Sequence, residues 1–422
     1  AVFTVGAFGI GAAVRGSDVI IHEVAIVRGA AGTSDALAQA YLGIFSPNRA
    51  TFQLRAPGGA LLASPISGDI FGSDIAGPLD ILQGDPSRIR NLAVGFGSLR
   101  AVRADAATTA PVVEADLRLE GASLKGTVTN RSDRALIGPA IVLGSSSVNL
   151  PDIPAGGSAQ VDLKLTGSPF NQSSISERVV GQVFWNGGGS FDEAAQRKIV
   201  RRAILDQLSW DPMTGIQTSL AVDAPVLLAW GVDPVVNVEI EGHEVRRVGN
   251  VLYSIPLPLR IAGETVFRND LLRSTVLEVN ANFFNKDPWT LSFGPGTLRM
   301  SYRPLPFEGT FEARKLVVAM NFGGDPGSLG RPIPLDPTDR CDPAEDDACV
   351  TIADGLPDLD ILDRRTGEWV EFPHLSSNEA YELDDPGRWI DPATGELQVR
   401  FVNERQEGVG FQFHVELTGV VK

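Results

Sequence analysis

The sequence predicts a mainly β protein made of several β-sandwich domains, with one small mixed α/β segment. Three observations carry that prediction. Apolar residues alternate with polar or small ones through most of the chain, as in 115–144 (ADLRLEGASLKGTVTNRSDRALIGPAIVLG), where Leu117, Leu119, Leu124, Val128, Ile141 and Leu143 mark one face of successive strands. Clusters such as EGAS and NRSD supply the Gly, Asn, Ser and Asp that tight turns require. A helical period is clear only in 190–210, SFDEAAQRKIVRRAILDQLSW.

A chain of 422 residues accommodates two to four domains at roughly 100–200 residues each. Residues 1–15 open on an uncharged run, AVFTVGAFGIGAAV, that ends at Arg15. It is shorter than the roughly 20 apolar residues that cross a bilayer. It also lacks the basic start of a secretory signal. Its two readings are the end of a transmembrane helix and a Gly-spaced buried strand. Residues 16–108 read as a β-rich domain of strand-like runs (VIIHEVAIV, AYLGIFS, ATFQLRA, LAVGFGSLRAVRA), and 109–168 as an immunoglobulin-like module. The mixed α/β segment follows at 169–262. Its helix has Ser190 or Asp192 as cap and Ile199, Ala203, Ile204 and Leu208 as apolar stripe. Residues 263–422 read as a jelly-roll-like C-terminal sandwich, with turns at RRTGE and PATGE and a last strand alternating Phe411, Phe413, Val415 and Leu417. A loop rich in Pro, Gly and Asp interrupts it at about 323–357.

A net charge of −16 and a pI near 4.8 argue against a nucleic-acid partner, since no basic excess is available to neutralise phosphates. The two cysteines, Cys341 and Cys349, sit in DPTDRCDPAEDDACV. Their spacing, with no further thiol or nearby histidine, fits a local disulfide and hence an oxidising compartment. Two independent reduced thiols are the alternative. Around them lie Asp336, Asp339, Asp342, Glu345, Asp346 and Asp347, hard oxygen ligands at a density that suits Ca²⁺, though not at EF-hand spacing. A hydrated acidic loop tip is the competing reading. No other cofactor is indicated.

Catalytic signatures are missing from the pattern. His22, His243, His374 and His414 are scattered over separate strands or turns, and IHEVA lacks the second histidine of a zinc-protease helix. No G-x-S-x-G elbow occurs. VGAFGIG has no strand–turn–helix context for a phosphate loop. Asp358, Asp360 and Glu368 are carboxylates of the type glycosidases pair, but acidic residues are too common here for their presence to decide anything. Trp369 and Trp389 offer rings for stacking on a sugar, or filling for the terminal sandwich.

The runs VRGSDVIIHEVAIVRG, LQGDPSRIRNLAVGFGSLR, PVLLAWG with GNVLYSIPLPLRI, and DRRTGEWVEF with DPATGELQVRFVN together resemble an uncharacterised family of bacterial envelope proteins. Those proteins carry an extracytoplasmic N-terminal domain, a membrane-spanning hairpin and a large β-rich C-terminal ectodomain. The resemblance spans nearly the whole chain and places Ala1 within the last transmembrane helix. It implies an extracytoplasmic protein anchored to the cytoplasmic membrane, and it brings no catalytic residue with it. The expectation is therefore a non-enzymatic structural or interaction module of the cell envelope, with other envelope proteins or its own copies as partners. A carbohydrate-binding or carbohydrate-active ectodomain and a surface-layer or filament subunit are the alternatives.

Overall fold

Strands account for most of the computed structural model, which describes residues 19–64, 79–165, 174–182, 193–208, 210–211, 216–217, 223–286, 290–321, 331–335, 355–377 and 379–422. The N-terminal segment 1–15, the cysteines 341 and 349 and the acidic residues 336–347 lie outside the described residues. Among those described, no helix is long and apolar enough to cross a membrane. The fold is mainly β, with four principal sheets and few helices.

The first large sheet has eight strands in the order Ser146–Asn149, Ile137–Leu143, Val226–Gly231, Arg246–Pro256, Ile20–Gly29, Asp35–Ser46, Ser98–Thr109 and Leu61–Ala63. Its inner face is set by alternation: Ala36, Ala38, Ala40, Leu42 and Ile44 are buried along one strand. They join one core with Phe52, Leu54, Ile89 and Leu92 of a four-stranded sheet, Glu239–Ile240, Ala50–Ala56, Ser87–Val94 and Asp80–Leu82. Glu23, fully buried on Ile20–Gly29, accepts hydrogen bonds from the amides of Val235 and Val236 (2.7 and 3.1 Å) and from Arg247 (2.9 Å). The IHEVA run is thus a central strand, and its carboxylate pins a distant loop.

The second large sheet runs Ser158–Lys164, Ser123–Asn130, Val113–Gly121, Leu259–Phe267, Val409–Val421, Phe311–Asn321, Ala380–Leu383 and Ile333–Leu335, with Leu291–Phe293 and Phe284–Lys286 added beside Val409–Val421. A five-stranded sheet, Leu272–Ala281, Gly296–Pro304, Leu397–Asn403, Asp358–Leu362 and Trp369–Glu371, faces it across the C-terminal core. Phe401 meets Phe411 and Phe413 edge-on at 4.8 and 5.0 Å, and Tyr302 meets Phe413 at 5.3 Å. The four alternating residues of the last strand, Phe411, Phe413, Val415 and Leu417, are all buried.

Both large sheets cross the boundaries the sequence pattern draws. Ile137–Leu143 pairs with Val226–Gly231, Val113–Gly121 lies parallel to Leu259–Phe267, and Arg246–Pro256 lies parallel to Ile20–Gly29. The strands of 109–168 divide between the two sheets and join a shared core, but each set is the end of a larger sheet. Gly126 shows how tightly this region is assembled. At φ +144°, a Cβ built on it would stand 1.9 Å from the carbonyl oxygen of Asp116 on the neighbouring strand.

The expected helix is Glu193–Leu208. Its inward face keeps Ile204 and Leu208 of the expected stripe: Ile204 is buried together with Leu205, and Leu208 packs beside them with Val200, against Val142, Leu228, Trp230 and Leu252 of the first sheet. Ile199 and Ala203 do not belong to that cluster. A second, short helix, Ile175–Val180, forms where no helical period is apparent in the sequence. Ser174 caps it, its hydroxyl accepting from the Glu177 amide at 3.2 Å. The tetrapeptide SISE that opens it has the spacing of a capping box.

Candidate functional site

Arginine and carboxylate residues concentrate on the outer face of the five-stranded sheet. Along Gly296–Pro304 the side chains alternate between core and surface: Leu298, Met300 and Tyr302 point into the core, leaving Arg299, Ser301 and Arg303 outside. In Leu397–Asn403 the inner residues are Leu397, Val399 and Phe401, and Gln398 and Arg400 face outward. In register across the five strands stand Glu278, Arg299, Arg400, Asp360 and Glu371.

Arg299 and Arg400 are directly opposite, an arrangement that repels unless each charge is answered. Glu278 answers Arg299 at 2.7 Å, and Asp360 answers Arg400 at 2.6 Å. The Trp369 ring takes both guanidinium groups at 5.1 Å from its centroid, a cation–π contact on each. Under this cover the Asp360 side chain is only 5% exposed. Burial raises its pKa above the ordinary carboxylate range, and Arg400 offsets part of that rise.

A second knot lies beside the first. Glu396 is buried and accepts hydrogen bonds from Ser301, from Arg364 at 2.9 Å and from Gln398 at 3.3 Å, with Arg303 at 3.6 Å. Burial works to raise its pKa, but the Ser301 and Arg364 contacts outweigh it and hold the carboxyl below its usual value. Asp363, just before the RRTGE turn, accepts from Arg388 at 2.6 Å and from the Arg365 and Thr366 amides at 2.8 and 3.3 Å. Burial opposes these bonds as well, and again the net shift is downward.

Of the carboxylates picked out in the sequence, Asp358 and Asp360 are each committed to a separate partner. Asp358 meets His374 Nδ1 at 2.8 Å, Asp360 holds Arg400, and Glu368 is exposed in the turn. Trp389 is buried, its indole N–H donating to the Asp384 carbonyl at 3.0 Å and its ring packed on Phe372 and Arg388. Trp369 is overlaid by arginines. The two rings considered for sugar stacking are thus engaged within the protein. The exposed aromatic side chains among the described residues are Phe96 and Phe283, which lie on separate sheets' connections. Among the described residues no group of three or more His, Cys, Asp or Glu is placed to hold a metal.

The arginines Arg299, Arg364, Arg388 and Arg400 do not stand out in the sequence. Each occupies an outward position or a turn, but only strand register shows which carboxylate it meets.

These features define a class: a multi-sheet β protein whose outer charges are interlocked. A family described as a domain of unknown function, DUF8725, matches residues 112–260. No curated protein matches. Among solved structures the chain is similar to the mu homology domain of Fcho1 from Danio rerio with bound Eps15 peptide, at 9% identity and a TM-score of 0.27, covering 57% of this chain and 96% of that one. It is similar also to the yeast delta-COP-I mu-homology domain, at 6% identity and a TM-score of 0.27, covering 56% and 95%. Likenesses this loose carry no argument about function.

Proposed function

We propose that this chain is a non-catalytic structural or interaction module of the cell envelope, held on the extracytoplasmic side of the cytoplasmic membrane and acting through contacts with envelope proteins or its own copies. The observation that supports this reading is the pairing on the outer sheet face. Its acidic groups are spent on arginines, serine and backbone amides that hold the surface in one shape, an arrangement suited to presenting a rigid face. Continuity of the two large sheets across the chain supports the same reading, because it couples the sandwiches into a common core. The location rests on the resemblance read in the sequence.

Assembly through strand pairing receives less support. The ten-residue edge strand Leu272–Ala281 exposes Leu277 and Val279, but it is bulged between Val276 and Glu278, and Lys286 donates to the Ser274 carbonyl at 2.8 Å. Bulges and lysines are the usual protection of an edge.

A photo-crosslinking residue placed at exposed Arg303 or Phe283 in the full-length protein tests the proposal in cells. Discrete adducts with an envelope protein or a second copy, recovered with the membrane fraction, are expected. Recovery in the soluble cytosolic fraction without adducts would overturn it.

A further inference from the structure

We infer that the turn bearing Phe96 is a lipid-contacting tip, its ring seated among the headgroups and upper acyl chains of a bilayer, an inference that rests on the membrane location proposed above. Phe96 is 81% exposed, the most exposed large apolar side chain among the described residues. The turn is built to hold it there. Ser98 closes it, its amide and hydroxyl both donating to the Gly95 carbonyl at 3.2 and 2.9 Å. Gly97 takes φ +57°, at the turn position where a positive φ favours glycine. With glycine on either side, the chain neighbours of Phe96 bring no side chain to cover the ring. Single exposed apolar residues are ordinary; this one is set apart by where it stands.

Strand register fixes that place. Ile20, Phe45 and Leu99 are successive partners across the adjacent strands Ile20–Gly29, Asp35–Ser46 and Ser98–Thr109. The chain therefore enters the first sheet at Val19 two strand spacings, roughly 10 Å, from the Phe96 turn. The turns at 47–49 and 241–245 lie at the same end, because Ala50 pairs with Val94 and Arg246 with Ile20. The links to the second large sheet, 110–112 and 257–258, leave from the opposite end, where Thr109 pairs with Asp35 and Pro256 with Val226. Phe96 thus stands at the free end of the first sheet.

Lipid is the occupant these positions favour. Fourteen uncharged residues, AVFTVGAFGIGAAV, are joined to Val19 through only Arg15, Gly16, Ser17 and Asp18. Four residues span at most about 14 Å, so a bilayer that takes up this run lies within reach of the tip. The exposed charges of the end are also balanced, Arg49 and Arg246 against Glu241 and Glu244, in a chain of net charge −16. Anionic headgroups meet no acidic barrier there. Phe96 supplies apolar insertion and the arginines supply headgroup contact, the combination by which interfacial segments hold to a membrane surface.

The test reconstitutes the whole chain with vesicles of phosphatidylcholine and phosphatidylglycerol, floated on a density gradient. The lipids are used with and without bromine on the acyl chains, which quenches tryptophan on contact. Phe96→Trp is read against the native chain, whose six tryptophans set the background. It is read also against Leu37→Trp, a position 68% exposed near the opposite end of the same sheet. Both substitutions fall on exposed side chains and leave the core intact. The emission added by Phe96→Trp shifts to shorter wavelength on vesicles and loses most of its intensity in brominated lipid, whereas that added by Leu37→Trp does neither. A chain that floats while the Phe96→Trp emission stays unquenched overturns the lipid-contacting tip and leaves the membrane location standing; the ring then serves a protein partner. Equal quenching at both positions overturns the tip as well. A chain that does not float with the vesicles overturns the membrane location and the tip together.

Discussion

Replacing Arg400 with methionine isolates the charge that holds the outer face of the five-stranded sheet. The substitution keeps much of the side-chain stem and removes the partner of Asp360, which is 5% exposed while Arg400 is 34% exposed. Removing one member of a fully buried pair costs about 3–5 kcal/mol. Because Arg400 is a third exposed and water can reach the vacated position, about 2–3 kcal/mol is expected here, including the lost contact with Trp369. The loss depends on pH. Burial already raises the Asp360 pKa in the folded state, so its contribution is fullest below the unfolded carboxyl pKa and declines as pH rises through the folded value. Without Arg400 that folded value climbs further. Urea unfolding followed by tryptophan emission should therefore show a larger deficit for Arg400→Met at pH 7 than at pH 5. Combining it with Asp360→Leu should recover most of the deficit, since the stranded carboxylate is then gone. A single variant within about 0.5 kcal/mol of the native chain, the ordinary range for a surface change, would refute the reasoning. A double variant no more stable than the single one would refute it equally.

Gly126→Ala forces a side chain to within 1.9 Å of the Asp116 carbonyl; circular dichroism melting should show severe destabilisation, and an unchanged melt would contradict the strand packing. Glu396→Gln should destabilise at pH 7, with the difference from the native chain shrinking as pH falls below about 4. The sign follows from a folded pKa held low by Ser301 and Arg364: stability from such a group is present above the unfolded pKa, near 4.3, and is lost as pH falls through the folded one. Phe401→Ala, which empties a position packed on Phe411 and Phe413, should cost about 3–5 kcal/mol in the same urea assay. Peptide mapping without reduction should find Cys341 joined to Cys349; alkylation of both thiols before reduction would remove that support for an oxidising compartment.

Alternation along a strand is a local property, and so the β character of Asp35–Ser46, Ser123–Asn130 and Val409–Val421 was legible residue by residue. The helix at 193–208 was legible for the same reason, and its inward face in part: Ile204 and Leu208 belong to it, whereas Val200 and Leu205 stand in place of Ile199 and Ala203 because the sheet surface they meet selects them. The RRTGE and PATGE turns carry Gly367 and Gly395 at φ +76° and +69°, conformations that favour glycine and so declare themselves in sequence. The candidate site was half legible. Asp358, Asp360 and Trp369 stood out as residue types, while the arginines that commit them did not.

The strand-rich fold, the acidic charge and the lack of familiar catalytic motifs are properties of the amino-acid order alone, since each depends on composition or on neighbours a few residues apart. That Asp360 meets Arg400, 40 residues away, and that Glu23 meets Arg247, 224 residues away, emerges with the folded chain. Folding also carries the two large sheets through the apparent domain boundaries. The physical reason is register. Hydrogen bonding between strands distant in sequence sets which side chains are opposed, and a slip of one residue would turn each of them to the other face.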